Sequence, residues 1–176
     1  EKTAEFLEKL AAFIRYSLKP STRFVLVSEE IECVRQYIWL LRLRFGERFE
    51  FCLDIQDEAL GYETPALVLQ PLVENAIVHG LKDVEEGGKV IISAKLEGET
   101  IRFSVSDSGC GMSSEYITLA LAAARPDDTR PQNGIGLHNV VRRVALATGG
   151  LGRVEIESKL GHGTCVTILL PTGKTS

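Results

Sequence analysis

No two cysteines in this 176-residue chain stand in a C-x-x-C pair. Cys33, Cys52, Cys110 and Cys165 are widely scattered, with no histidine pair at zinc-ligand spacing nearby. That excludes a zinc-finger framework and a disulfide-stapled miniprotein, and the four read as reduced thiols, most of them filling core space. No run approaches the ~20 apolar residues of a membrane span, and no basic-then-apolar segment opens the chain. Positive charge is not in excess either: 20 Lys and Arg against 24 Asp and Glu leave a net charge of −4, which argues against a nucleic-acid surface over most of the protein. A phosphate loop of the form G-x-x-x-x-G-K-S/T is absent, so any nucleotide site must be built without its lysine. The chain opens on Glu1 rather than Met, which sets the expectation of a piece of a longer protein with any sensor or anchor upstream.

What is present is an ordinary globular composition, 44% hydrophobic and 25% charged, in a length that suits one domain with a helical appendage. Phe6, Leu7, Leu10, Phe13, Ile14 and Ser17 recur at three and four residues, which predicts an amphipathic helix over 4–18, ended by Lys19-Pro20. Ser28 is read as the N-cap of a second helix with Glu29 and Glu30 in its first turn, running to Phe45 before Gly46. Phe49 to Ile55 reads as a strand, and Pro65 as the opening of a third helix that closes at Gly80. Period-two alternation then predicts two hairpins, one pairing Val90 to Leu96 with Ile101 to Val105, the other pairing Val154 to Ile156 with Val166 to Leu170. Helices are predicted between them over 117–124 and 135–147, separated by a polar stretch over 125–133. Hairpins interleaved with helices favour an α+β sandwich, its largely antiparallel sheet covered on one face, over a doubly wound parallel fold.

Four short segments bear polar chemistry. On the third helix, Leu69, Leu72, Val73, Ala76, Ile77 and Gly80 form an apolar arc, leaving Glu74, Asn75, Val78 and His79 on the other side. Alone, that is also how any solvated polar face looks. Asp107-Ser108-Gly109-Cys110-Gly111-Met112 stands where a strand ends, where glycines permit a close approach and the carboxylate can accept from an exocyclic amine such as that of adenine. A capped turn has the same pattern. Gly134-Ile135-Gly136-Leu137 opens a helix whose free N–H groups favour a phosphate, although Asn139 stands where a dinucleotide fingerprint needs its third glycine. Gly161-His162-Gly163-Thr164 occupies the last hairpin turn.

Taken in order, Glu74-Asn75-x-x-x-His79, Asp107-x-Gly109-x-Gly111, Gly134-x-Gly136-Leu137 and Gly161-x-Gly163-Thr164 resemble the N, G1, G2 and final G boxes of the GHKL, or Bergerat, ATPase fold of sensor histidine kinases, gyrase, Hsp90 and MutL. Flanking text, including Ile14-Arg15-Tyr16-Ser17-Leu18, Leu43-Arg44-Phe45-Gly46-Glu47-Arg48 and Leu69-Gln70-Pro71-Leu72-Val73-Glu74-Asn75-Ala76, is similar to the LytS/YesM-type sensor histidine kinases, over nearly the whole chain.

The resemblance implies a two-layer α/β sandwich with a mixed, mostly antiparallel sheet and helices on one face, preceded by a helical dimerisation remnant. It implies ATP and Mg²⁺ as ligands, with Asn75 holding the metal and Asp107 binding the adenine amine. Gly109 and Gly111 would let the nucleotide lie against the backbone, His79 would belong to the nucleotide site, and Thr164 would support the adenine side through its hydroxyl. Gly134, Gly136 and Leu137 would hinge a phosphate lid whose body is 125–133, and Glu74 matches the family's catalytic acid. Residues 1–20 would be the second helix of the dimerisation region, or else a helix packed on its own domain, with 21–48 a linker and connecting helix, 49–171 the ATP-binding domain and 172–176 a tail. Val78 departs from the lysine often found there, with Arg125, Arg130 or Arg142 as replacements. No Asn-Pro-His-Phe-like acceptor segment is present, and His79, His138 and His162 all fall in the boxes. The implied partners are a response regulator and a second copy of the chain, with no nucleic acid, in the cytoplasmic part of a membrane-anchored receptor. A catalytically silent nucleotide-binding module and a water-directed ATPase are the alternative functions.

Overall fold

A computed structural model describes residues 2–18, 24–122 and 136–172, with side chains from residue 7 onward. Pro20, the lid body over 125–133, Gly134 and the tail from 173 lie outside the described residues, as does the side chain of Phe6. The elements are α1 (Lys2–Ser17), β1 (Phe24–Leu26), α2 (Val27–Phe45), β2 (Phe49–Ile55), β3 (Glu63–Pro65), α3 (Gln70–Asn75) with a π-helical turn (Ala76–Gly80), β4 (Gly88–Glu97), β5 (Thr100–Asp107), α4 (Ser114–Leu121), α5 (Leu137–Ala147), β6 (Arg153–Ser158) and β7 (Thr164–Pro171).

Alternation dictates the main sheet. Its order is β2-β4-β5-β7-β6, with β2 parallel to β4 and every other pair antiparallel. Val90, Ile92 and Ala94 of β4, Ile101, Phe103 and Val105 of β5, and Val166, Ile168 and Leu170 of β7 are buried on one face. Against them pack Val27, Ile31, Val34, Ile38 and Leu41 of α2, Leu72 and Val73 of α3, and Leu137, Val140 and Val144 of α5. The opposite face carries the ion pairs Lys89–Glu50 (3.2 Å) and Lys95–Asp54 (2.7 Å), and it is solvated. This is the expected α+β sandwich, and α2 from the 21–48 segment shares the core of the sheet.

Local starts and stops differ from the sequence expectations. Pro65 lies not in a helix but in β3, which pairs antiparallel with β1. Residues 66–69 then bend, and Pro71 takes the proline-tolerant first turn of α3. Ser28 is not the cap of α2: the helix starts at Val27, and its early N–H groups donate to tertiary carbonyls, Val27 to Tyr62 (2.8 Å) and Ser28 to Leu60 (3.1 Å). Helix α4 runs over Ser114–Leu121, earlier than expected, because the Ser113 hydroxyl accepts from the Tyr116 N–H (3.3 Å) and caps it.

The bend at 66–69 is organised by Glu30, a fully buried carboxylate in the first turn of α2. Its Oε1 accepts from the Leu67 N–H (2.5 Å) and the Tyr16 hydroxyl, and its Oε2 accepts from the Val68 and Leu69 N–H groups (3.1 Å each). From the other side Arg143 Nη1 donates to the carbonyls of Ala66 (2.9 Å) and Leu67 (2.6 Å). Leu67 has φ +60°, a left-handed conformation that costs about 1–2 kcal/mol for a side-chain-bearing residue and persists only where the surroundings fix it. Burial pushes the Glu30 carboxyl above its ordinary range, opposed by the bonds from Tyr16 and the three amides. Glu30→Ala strands three buried backbone donors, so the unfolding free energy in a urea titration should fall by at least about 3 kcal/mol. A loss no larger than that of an exposed glutamate such as Glu32→Ala would contradict this placement.

Candidate functional site

At one end of the sheet a cleft of about 300 Å³ opens between the π-helical turn, the loop after β5, α4 and the start of β7. Asn75, His79 and Gly80 form one wall; Cys110 to Ser113, Tyr116 and Thr164 form the other, with Lys82 at the rim. The π turn, closed by the Leu81 N–H donating to the Ala76 carbonyl at 2.8 Å, departs from the 3.6-residue repeat. Asn75 is buried at 6% exposure, whereas Glu74 and His79 are exposed, so the sequence trio does not share one environment.

Asp107 ends β5 beside this cleft and is itself buried, 9% exposed. Its Oδ1 accepts from the Gly109 N–H at 2.8 Å, and the Thr164 N–H also donates to the carboxylate. Three glycines hold the carboxylate in place because no side chain fits where they stand. A Cβ on Gly80 would lie 2.7 Å from Asp107 Oδ1, one on Gly109 would lie 2.1 Å from the Gly80 carbonyl oxygen, and one on Gly163 would lie 2.0 Å from the Asp107 carbonyl oxygen. Gly111, at φ +71°, sits 2.1 Å by the same measure from the Lys159 carbonyl oxygen. At Gly109 and Gly111 the space a Cβ would need is taken by the protein's own backbone, and Gly111 also lines the cleft. The Cys110 N–H bonds the Gly80 carbonyl (2.9 Å), tying this loop to the π turn.

The remaining residues fall around this centre. The Thr164 hydroxyl lies 2.9 Å from Ser158 Oγ, which donates to the Gly163 carbonyl. Gly136, at φ +116°, abuts Asn75, whose Oδ1 would lie 3.7 Å from a Cβ built there. Leu137 is in the core at 1% exposure and anchors the first turn of α5. Glu74 accepts from Gln70 Nε2 (3.2 Å) and is not part of the cleft wall, nor is Arg142. Arg125 and Arg130 lie outside the described residues. Met112 closes the second sequence motif, whereas Lys82, Ser113 and Tyr116 line the cleft without any sequence motif having marked them. The signal for Lys82 is only its position, two residues beyond Gly80.

This arrangement belongs to a known class. Residues 62–174 match the histidine kinase-, DNA gyrase B- and HSP90-like ATPase family, and the chain is a member of it. Residues 1–49 match the histidine kinase family. Among individual proteins, the chain is 32% identical over 171 residues to the sensor histidine kinase YesM of Bacillus subtilis, covering 97% of this chain and 28% of that protein. It is 35% identical to the sensor histidine kinase BtsS of Escherichia coli, with the same 97% and 28% coverage. The structure of full-length ShkA in complex with AMPPNP superposes with a TM-score of 0.60 at 22% identity, over 98% of this chain and 36% of that one. The chain thus spans about 28% of the length of the curated relatives it matches.

Two measurements test the geometry. Gly161 has φ +79° with open space around it, so Gly161→Ala should cost only about 1–2 kcal/mol of stability. Gly163→Ala adds a backbone collision and should cost at least twice as much by denaturant titration; equal losses would contradict the packing. Burial raises the Asp107 carboxyl above its ordinary range, with the Gly109 and Thr164 N–H bonds opposing. A carbon-detected NMR titration should therefore place its midpoint above about 3.9, the unperturbed value. A folded value raised in this way stabilises the fold below the unfolded pKa and loses that contribution as pH rises through the folded one. A midpoint at or below 3.9 would contradict this.

Proposed function

We propose that this chain is the ATP-binding catalytic part of a sensor histidine kinase, passing the γ-phosphoryl group of ATP to a histidine imidazole for relay to a response regulator. The observation that carries the reading is the meeting of Asn75, His79 and Thr164 in one cleft beside the buried Asp107 carboxylate. An adenine amine would donate to Asp107, and the Thr164 hydroxyl and Met112 would flank the ring. Lys82 and His79, on the rim and the wall, suit the phosphate end by charge and donor capacity. Gly134, Gly136 and Leu137 would hinge the segment that closes over the phosphates, with Gly136 starting from a contact with Asn75.

The side-chain amide oxygen of Asn75 is a hard neutral donor of the kind Mg²⁺ accepts together with phosphate oxygens and water, and no cluster of three or more His, Cys, Asp or Glu among the described residues offers a separate metal cage. When bound there, Mg²⁺ would offset phosphate charge. The protein's own part is positioning. In the transfer, the bond from the γ-phosphorus to the bridging oxygen breaks, a bond to the imidazole nitrogen forms, ADP departs and the imidazole proton is released. Glu74, exposed next to Asn75, is the carboxylate proposed to receive that proton.

In this reading 49–171 together with α2 forms the nucleotide-binding unit, 1–20 supplies the second helix of a dimerisation region, 172–176 is a tail, and dimers form through helices of the full-length receptor, whose cytoplasmic part this would be. The names and lengths of YesM and BtsS support it. Isothermal titration with ADP or an unhydrolysable ATP analogue should give saturable binding that strengthens with Mg²⁺. Asp107→Asn should weaken it by at least about tenfold, because the carboxamide can turn a donor toward the amine and forfeit a charge-assisted bond. Incubation with γ-labelled ATP should leave the chain unlabelled. Unchanged affinity in the mutant, or label on any of the three histidines, would overturn the assignment.

A further inference from the structure

Helix α1 is tied to the bend that leads into α3 through the buried Glu30 carboxyl. Tyr16 of α1 donates its hydroxyl to Glu30, and the other three acceptor positions of that carboxylate are filled by the N–H groups of Leu67, Val68 and Leu69. An ionised carboxyl offers about four such positions, so the set is complete only while α1 is docked. Around it Phe13 and Tyr16 of α1 pack with Val25, Cys33, Ala66 and Leu67 in a small apolar cluster separate from the main core. The Phe13 and Tyr37 rings stack at 5.3 Å, and Lys9 Nζ lies 5.3 Å from the centre of the Trp39 ring.

The four residues gripped by Glu30 and Arg143 lead straight into α3. Leu69 is its N-cap, and Asn75 is its last residue. The carbonyls of Ala66 and Leu67 are held by Arg143 of α5, and the N-cap of α5 is Gly136, which abuts Asn75. Helix α5 therefore touches this segment at both ends, through Arg143 at the bend before α3 and through its N-cap Gly136 beside Asn75, which lines the cleft. A displacement at the first contact changes the spacing at the second. Leu67, left-handed without being glycine, is the residue whose conformation depends on the grip.

We infer that Glu30 is a positioning residue for the nucleotide site and that Tyr16 couples α1 to it, so that docking of α1 and binding of nucleotide favour one another. The inference rests on the nucleotide reading of the cleft. Coupling between two sites is reciprocal, so it shows from either end. Tyr16→Phe keeps the ring in its cluster and removes only the hydroxyl, which makes it milder than any change at Glu30.

The experiment uses Mg-ADP as probe on wild type and Tyr16→Phe, with affinity from calorimetry and hydrogen exchange of residues 7–18 followed by mass spectrometry. The expected result is slower exchange of 7–18 in wild type when Mg-ADP is added, a dissociation constant raised about fivefold or more in Tyr16→Phe, and no nucleotide-dependent slowing in that variant. Wild type that binds Mg-ADP with exchange of 7–18 unchanged overturns the coupling and leaves the nucleotide reading standing, even if Tyr16→Phe binds more weakly, because that weakening is then only structural. Slowing in wild type with equal affinity and equal slowing in Tyr16→Phe also overturns it, since Tyr16 is then not the link. Wild type that does not bind Mg-ADP removes the nucleotide reading and this inference together.

Discussion

A carboxylate removed from water has to be surrounded by donors, and Glu30 meets that requirement by drawing three successive backbone amides and a tyrosine hydroxyl onto itself. The consequence is geometric. Between β3 and α3 the amides at 67, 68 and 69 are committed to the carboxyl rather than to a strand neighbour. The chain bends, accepts a left-handed Leu67, and enters α3 at a fixed angle with Pro71 in the first turn. That entry makes Asn75 a buried wall of the cleft rather than one more polar residue on an exposed helix face. Arg143 holds the carbonyls of the same bend, so α5 is set by it as well.

The second constraint is steric. Around Asp107 the backbones of the π turn, the loop after β5 and the turn before β7 approach within distances that leave no room for a Cβ at Gly80, Gly109 or Gly163. The carboxylate is thereby shielded and aimed by N–H groups from Gly109 and Thr164. A rigid acid of this kind can select a ligand's amine without reorganising, an advantage of building a site on strand ends and crossed backbones rather than on a free loop. Lys82 also lines the cleft, its ammonium 3.7 Å from Asp83 Oδ2.

The main sheet was legible because it is covered on one face, so its period-two alternation survives in β4, β5 and β7 and gives both hairpins and their faces. The glycine-bearing turns were legible as places of close approach, and at Gly109 and Gly111 protein backbone takes the space a Cβ would need. Local rules failed where tertiary partners replaced them. Ser28 looked like a cap, but carbonyls of Tyr62 and Leu60 satisfy the start of α2 instead. Pro65 looked like a helix opening, but it serves β3, and Pro71 opens the helix. Glu30 was invisible as a keystone because an acid in the first turn of a helix is the ordinary choice for the macrodipole, and nothing in one dimension tells a solvated acid from a buried one. Lys82 escaped for a related reason, since a π turn re-aims the residues after it and leaves no periodic trace.

The most direct measurement is amide hydrogen exchange by NMR at Leu67, Val68 and Leu69, three residues that belong to no helix or strand. If the Glu30 carboxylate holds them, their amides exchange as slowly as those in the middle of β5, and Glu30→Gln speeds all three together. Exchange at the rate of an exposed loop in the unaltered chain would contradict the account.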